Sequence, residues 1–218
     1  DTQEMQRLRR IRQLGMAYIA YPGAEHSRFG HSLGVAHMAR RILDQLARSS
    51  SLDSGERFVC VCAALLHDIG HGPFSHIYEK CVGGSHEERS AEIILNEQSE
   101  VCQALADFDS GLPERVAAML RGDESAGPCR AVISGQLDAD RMDYLMRDSL
   151  MTGVKYGIYD LERLLRMMRF DARGGRIVLS DKGLMPVEKY LQSRYHMYRQ
   201  VYFHKTVTAA ESMLASLL

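Results

Sequence analysis

The stretch Phe58-Val59-Cys60-Val61-Cys62-Ala63-Ala64-Leu65-Leu66 is apolar almost all round and runs straight into His67-Asp68-Ile69-Gly70. It is far shorter than the roughly 20 residues of a membrane span. It therefore reads as a buried central helix over 56–69, stopped by Gly70, Gly72 and Pro73. An imidazole and a carboxylate at the end of such a helix must both be satisfied, because an unpartnered polar group in an apolar setting is expensive. A divalent metal satisfies them; so does a capping His beside a solvated Asp, and the pair alone leaves both open.

The rest of the chain is also mostly helical in pattern. Val35, Met38, Ala39, Ile42, Leu43 and Leu46 follow i, i+3, i+4, i+7 spacing, which predicts an amphipathic helix over 33–48. Ser85 with Glu88 forms a capping box for a helix reaching Asn96, Pro113 opens one over 113–121, and a longer helix is expected over 130–150. Gly174-Gly175 between Arg169-Phe170 and Ile177-Val178-Leu179 reads as a β-hairpin within 168–180, and Pro186 opens a last helix to Leu218. Pro and Gly fall singly between these segments, without repeat or linker. The expectation is one all-α domain over residues 1–218 with one small hairpin; the abrupt ends predict a fragment of a longer chain.

Composition narrows the function classes. Lys+Arg 27 against Asp+Glu 28 leaves no net field to hold nucleic acid or an anionic membrane. The five Cys include no zinc-type CxxC pair, which predicts buried reduced thiols and, with no signal-like start, a cytoplasmic location.

Seven of the nine His lie between residues 26 and 86, a crowding that points to metal or acid-base chemistry. His31 is expected just ahead of the 33–48 helix, so side-by-side packing with the buried helix would bring it to His67-Asp68. A further carboxylate comes from 138–148: at about 100° per residue, Asp140, Arg141, Tyr144, Arg147 and Asp148 share one face opposite Met142, Leu145 and Met146. A solvated, salt-bridged face fits that pattern equally well.

His31, His67-Asp68 and Asp140 in this order resemble the spaced H…HD…D signature of the HD-domain metal-dependent phosphohydrolases. The resemblance extends to Tyr21-Pro22-Gly23-Ala24-x-His26-x-Arg28-Phe29-x-His31, Leu66 to His76, Ser85-His86-Glu87 and Asp138 to Tyr144, and looks like the deoxynucleoside triphosphate triphosphohydrolase branch. It implies an HD fold with a divalent ion (Fe, Mn, Zn, Ni or Mg) on His31, His67, Asp68 and Asp140, a donor set without thiolate. It implies that His86, oriented by Glu79, handles protons at the leaving 5′ oxygen, with His71 in the same machinery. His71 and His76 match substrate-facing positions toward phosphate or a second metal, with hydrogen bonding behind the site as the alternative.

Arg28, Arg141, Arg194 and Lys205 match phosphate or sugar contacts, Tyr144, Asp148 and Tyr202 match sugar contacts, and Gln13 and Leu14 match the base. Asp1, Gln6 and Arg9 match a regulatory GTP/dNTP site between subunits of a homo-oligomer. Tyr198 departs from the animal enzymes, which have His there. The implied reaction is hydrolysis of a dNTP to deoxynucleoside and inorganic triphosphate by metal-activated attack on the alpha phosphorus. A phosphomonoesterase or phosphodiesterase acting on another nucleotide is the alternative, and a non-catalytic nucleotide sensor or nucleic-acid module the third.

Overall fold

Helix α1 (Gln3–Arg7), capped by Thr2, leads through short 3-10 turns into α2 (Arg28–Leu46), and α3 (Ser54–Leu66) follows behind an Asp53 cap. The structure, a computed structural model, describes residues 1–123, 126–171 and 176–217, apart from the side chains of Ser75, His76 and Val82. Next come α4 (Ser75–Val82), α5 (His86–Leu95), α6 (Glu100–Phe108), α7 (Leu112–Arg121), α8 (Ala139–Thr152) and α9 (Leu161–Met167). Strands β1 (Met168–Phe170) and β2 (Ile177–Leu179) pair antiparallel, Met168 opposite Leu179, and α10 (Leu184–Met197) and α11 (Lys205–Ala215) complete the chain.

Helix α2 is the hub, packing along α3 and α8. Val35, Met38, Ala39, Ile42, Leu43 and Leu46 are all buried, as the spacing requires. Losing one such side chain to Ala typically costs about 2–5 kcal/mol. One core runs from Met5 and Leu8 through these residues to Met142, Tyr190 and Val201. Helix α3 buries Val59, Cys60, Ala63, Ala64 and Leu66, but Phe58 is partly exposed and stacks on Phe108 at 4.7 Å, so α3 is not sealed on every side. The five cysteines are free, and no helix of the described residues is long and apolar enough to cross a membrane.

Several boundaries differ from the sequence expectation. Helix α2 begins at Arg28, so His31 sits in its first turn rather than ahead of it. The expected 130–150 helix is instead a 3-10 segment (Pro128–Val132) followed by α8, whose start is set by Asp138 accepting from the Arg141 amide at 2.8 Å. The last helical pattern breaks at a π turn (Tyr198–Tyr202) between α10 and α11; its apolar spacing continues across the break, which is why periodicity missed it. The hairpin strands stand where expected, while the Gly174-Gly175 turn lies outside the described residues.

Two glycines set the helix spacing. A Cβ at Gly34, mid-α2, would collide with the Asp143 carboxylate and the Arg147 guanidinium from α8. A Cβ at Gly70 would strike the His86 carbonyl and the Ser90 backbone of α5. Glycine in a helix costs about 1 kcal/mol relative to Ala, and at Gly34 that cost permits α8 to come within reach of His31.

Candidate metal centre and active site

The packing of α2 against α3 and α8 brings together the start of α2, the end of α3 and the start of α8. His31 Nε2 lies 2.9 Å from Asp140 Oδ1 and 3.9 Å from Asp68 Oδ2. His67 Nε2 lies 3.2 Å from Asp68 Oδ1 and 3.6 Å from Asp140 Oδ1, and the two imidazoles meet edge to face at 5.2 Å.

Each imidazole is oriented from behind. His67 Nδ1 donates to the Ala64 carbonyl at 2.9 Å, and His31 Nδ1 is held by Asp143 Oδ2 at 2.8 Å. Both therefore turn Nε2 inward. His67 Nε2 is buried and, although within ion-pair range of Asp68, makes no hydrogen bond among the described residues. A buried imidazole nitrogen with no hydrogen bond of its own, facing two carboxylates, belongs to a donor set that a divalent cation fits, and the N and O donors suit Fe, Mn or Zn.

The electrostatics agree. Burial alone would lower the His31 pKa, but hydrogen bonds to Asp140 and then Asp143 outweigh it and push it up to about 10. His67 is raised in the same way, with the Asp68 charge and then Asp140 opposing burial. Asp140 is held well below the carboxylate range by His31 and His67 against its own burial, and Asp68 by His67 and then Arg28. The carboxylates thus require positive charge in contact; a divalent cation supplies it with the imidazoles neutral.

The HD loop is braced on two sides. Ser90 Oγ donates to the His67 carbonyl and accepts from the Gly70 amide, each at 2.9 Å. From α1, Arg7 donates to the carbonyls of His71 (2.7 Å) and Ile69 (2.5 Å). Within the loop, His71 Nε2 lies 3.3 Å from Asp68 Oδ1, yet burial outweighs that carboxylate and pushes its pKa down to about 4. His71 stacks on His86 at 3.9 Å, and His86 Nδ1 meets both oxygens of Glu79 at 3.1 and 3.2 Å.

His31, His67, Asp68, His71, Glu79, His86 and Asp140 line one cavity of about 940 Å³, with Gln13, Leu14, Arg28, Arg141, Tyr144, Asp148 and Tyr202 in the same wall. Arg28 donates to Asp68 Oδ2 at 2.6 Å in a buried pair, and Arg141 is tied to Asp138 and to the Gly135 carbonyl. The Tyr202 hydroxyl donates to Asp148 Oδ2 at 2.8 Å, and its ring meets Tyr144 at 5.9 Å. Burial raises the pKa of both tyrosines well above their usual range, so both stay protonated.

Arg194 and Lys205 do not line this cavity: Arg194 lies over the Tyr198 ring at 5.6 Å and Lys205 is exposed at the start of α11. The His76 side chain lies outside the described residues. Asp1 accepts from Gln6 at 3.1 Å, Gln6 from Arg9 at 2.5 Å, and Arg9 covers Phe29 at 3.7 Å.

Sequence reading assigned no role to Asp143, His26, Arg7 or Ser90. Asp143 had a usable signal: it lies about 60° around the helix from Asp140 and four residues before Arg147, with which it pairs at 2.7 Å. The others act across the fold and leave no local spacing to read.

The sequence pattern of the HD domain matches residues 28–147, and that of an HD associated region matches 159–218. The uncharacterized protein YwfO of Bacillus subtilis is 48% identical over 218 residues, 100% of this chain and 50% of that protein. The deoxynucleoside triphosphate triphosphohydrolase SAMHD1 homolog of Dictyostelium discoideum is 32% identical over 236 residues, 99% of this chain and 44% of that protein. A crystal structure of a phosphohydrolase from Bacteroides thetaiotaomicron matches with a TM-score of 0.86 and 38% identity, over 98% of this chain and 51% of that one. The chain spans about half the length of the curated relatives it matches. With the HD pattern spanning α2 to α8, the helices that assemble the His/Asp cluster, the chain belongs to the HD-domain family.

Proposed function

We propose that this chain is a metal-dependent phosphohydrolase that converts deoxynucleoside triphosphates to deoxynucleoside and inorganic triphosphate. The observation that carries the reading is the buried Nε2 of His67, which makes no hydrogen bond among the described residues and faces the Asp68 and Asp140 carboxylates, in the same cavity that Tyr144, Asp148 and Tyr202 line. A volume of about 940 Å³ accommodates a nucleotide. The names of the SAMHD1 homolog and of the phosphohydrolase support the same chemistry.

We assign His31, His67, Asp68 and Asp140 as the residues that hold a divalent ion. Such an ion, when bound, polarises a phosphoryl oxygen and brings the pKa of a water toward neutrality. Arg28 steadies the Asp68 carboxylate and Asp143 fixes which nitrogen His31 presents. Glu79 holds His86 through Nδ1, and His86 exchanges a proton with water or the leaving 5′ oxygen. His71, neutral at pH 7, stacks against that ring without adding charge. Arg141 supplies cationic countercharge to phosphate, Gln13 and Leu14 border the base, and the tyrosines with Asp148 form the sugar wall. Asp1, Gln6 and Arg9 are the residues we assign to a regulatory nucleotide site in a homo-oligomer.

The test incubates the protein with Mn or Fe and each dNTP, with and without GTP, against ATP and nucleoside monophosphate controls, and separates the products. Intact triphosphate is expected. Stepwise orthophosphate release, or turnover of monophosphates alone, assigns the site to the phosphomonoesterase class instead. His86→Gln should keep its metal and lose turnover by about 10²- to 10⁴-fold.

A further inference from the structure

A His-Asp-Tyr chain runs from the proposed sugar wall, Asp148 and Tyr202, back to the buried ring of His26. His26 Nε2 sits 2.7 Å from Asp148 Oδ1, and the Tyr202 hydroxyl donates to Asp148 Oδ2 at 2.8 Å. The side chains of His26 and Asp148 are only 7% and 2% exposed. Asp148 and Tyr202 line the cavity and His26 does not. The three come from the segment before α2, from the last turns of α8 and from the π turn after α10, so the chain ties together three distant stretches of sequence.

A carboxylate accepts only, and its two oxygens offer about four lone-pair directions. One donor on each oxygen stops the group from rotating and leaves lone pairs for a third donor. Tyr202 is a donor to Asp148 because its proton is firmly held. The hydroxyl thereby takes Oδ2, and Nε2–H of His26 takes Oδ1. His26 Nδ1 is buried without a hydrogen-bond partner among the described residues, so the contact to Asp148 is the one polar anchor this ring has there. On a 2′-deoxynucleoside triphosphate the 5′ oxygen carries the phosphates, which leaves the 3′-hydroxyl as the sugar's free donor.

We propose that His26 is a positioning residue for specificity: by holding Asp148 Oδ1 while Tyr202 holds Oδ2, it fixes an acceptor that selects ligands carrying a 3′-hydroxyl. The inference rests on the deoxynucleotide reading above. It assigns His26 no contact with substrate or metal.

The experiment compares His26→Ala and His26→Gln with the wild type on dATP and on 2′,3′-dideoxyATP, which lacks the 3′-hydroxyl, and measures kcat and KM, bound metal and Tm for each. Losing a hydrogen bond to a charged group amounts to about a tenfold to hundredfold effect. His26→Ala should lose that factor in kcat/KM for dATP, mainly through KM, with dideoxyATP almost unaffected, so that the preference for the 3′-hydroxyl collapses while metal content is kept. Gln places Nε2 the same number of bonds from Cα as His does, so His26→Gln should restore most of the preference.

An unchanged dATP to dideoxyATP ratio in His26→Ala overturns the proposal, as does an equal loss on both nucleotides accompanied by metal loss and a lower Tm. If the wild type hydrolyses no dNTP, the functional reading has failed, and the positioning role is then judged by calorimetric binding of the same two nucleotides. Tighter binding of dATP than of dideoxyATP, abolished by His26→Ala, supports it; equal binding by the wild type overturns it.

Discussion

Asp143 Oδ2 stands 2.8 Å from His31 Nδ1, and the same carboxylate takes Nε and Nη2 of Arg147 at 2.7 and 2.9 Å. Asp143 is buried and held below the usual carboxylate range, its own burial being outweighed by His31 and then Arg147. It therefore fixes the His31 tautomer that presents Nε2 inward. Replacing such a supporting group typically weakens metal affinity by about 10- to 100-fold. Asp143→Asn should fold, and in competition with a chelator should release metal by that factor more readily than the wild type.

The protonated His31 sets a pH dependence for the metal-free protein. Its folded pKa of about 10 lies above the ordinary 6.5, so its contribution to stability is complete below pH 6.5 and disappears as pH rises through 10. Asp140 contributes in the opposite direction: its depressed pKa adds stability above the ordinary carboxylate value of 3.8, lost as pH falls through the folded value. Urea titrations in chelator should therefore show stability declining from pH 6.5 toward 10. On the proposed assignment of His31 as a ligand, added Mn must displace its proton, so metal affinity should rise over the same interval. A flat apo profile would show that His31 is neutral in the metal-free fold.

Gly34 should be intolerant of even one methyl group. A Cβ there meets Asp143 and Arg147, which are fixed by their hydrogen bonds. Overpacking of this kind costs about 1–3 kcal/mol. Gly34→Ala should lower the urea midpoint despite the better helix propensity of Ala, and should also weaken metal retention, because α2 and α8 carry the proposed ligands His31 and Asp140 on either side of the contact.

Arg7 reaches the HD loop from outside the core, through carbonyls rather than side chains. Arg7→Ala should cost about 1–2 kcal/mol, a partly exposed bond being worth less than a buried one. Its clearer signature is local: amide exchange across 67–72 should accelerate more than exchange in α2, and Arg7→Lys, which offers a point charge in place of a two-pronged donor, should restore only part of the protection.

What the sequence by itself determined was local: helices with an apolar face, their caps, and which residue types stand at their ends. Periodicity found α2, though five residues late at its start, and α3; the capping box at Ser85 and Glu88 and the proline Pro113 found α5 and α7, and the Gly-Gly pair found the hairpin, because each of these signals is local. The ordered blocks around His31, His67-Asp68, His86 and Asp138–Tyr144 were enough to identify the fold family. Tertiary structure alone decided what lies behind the site. It put His31 inside α2, broke the last helical pattern at a π turn that carries Tyr202 to Asp148, and kept Arg194 and Lys205 away from the cavity wall. Asp143, His26 and Arg7 act on partners far away in sequence or on backbone carbonyls, and such pairings arise only when helices have packed. The close approach of α8 to α2 at Gly34 is the physical reason: without it, an acidic residue one turn from Asp140 would be an ordinary helix-surface charge.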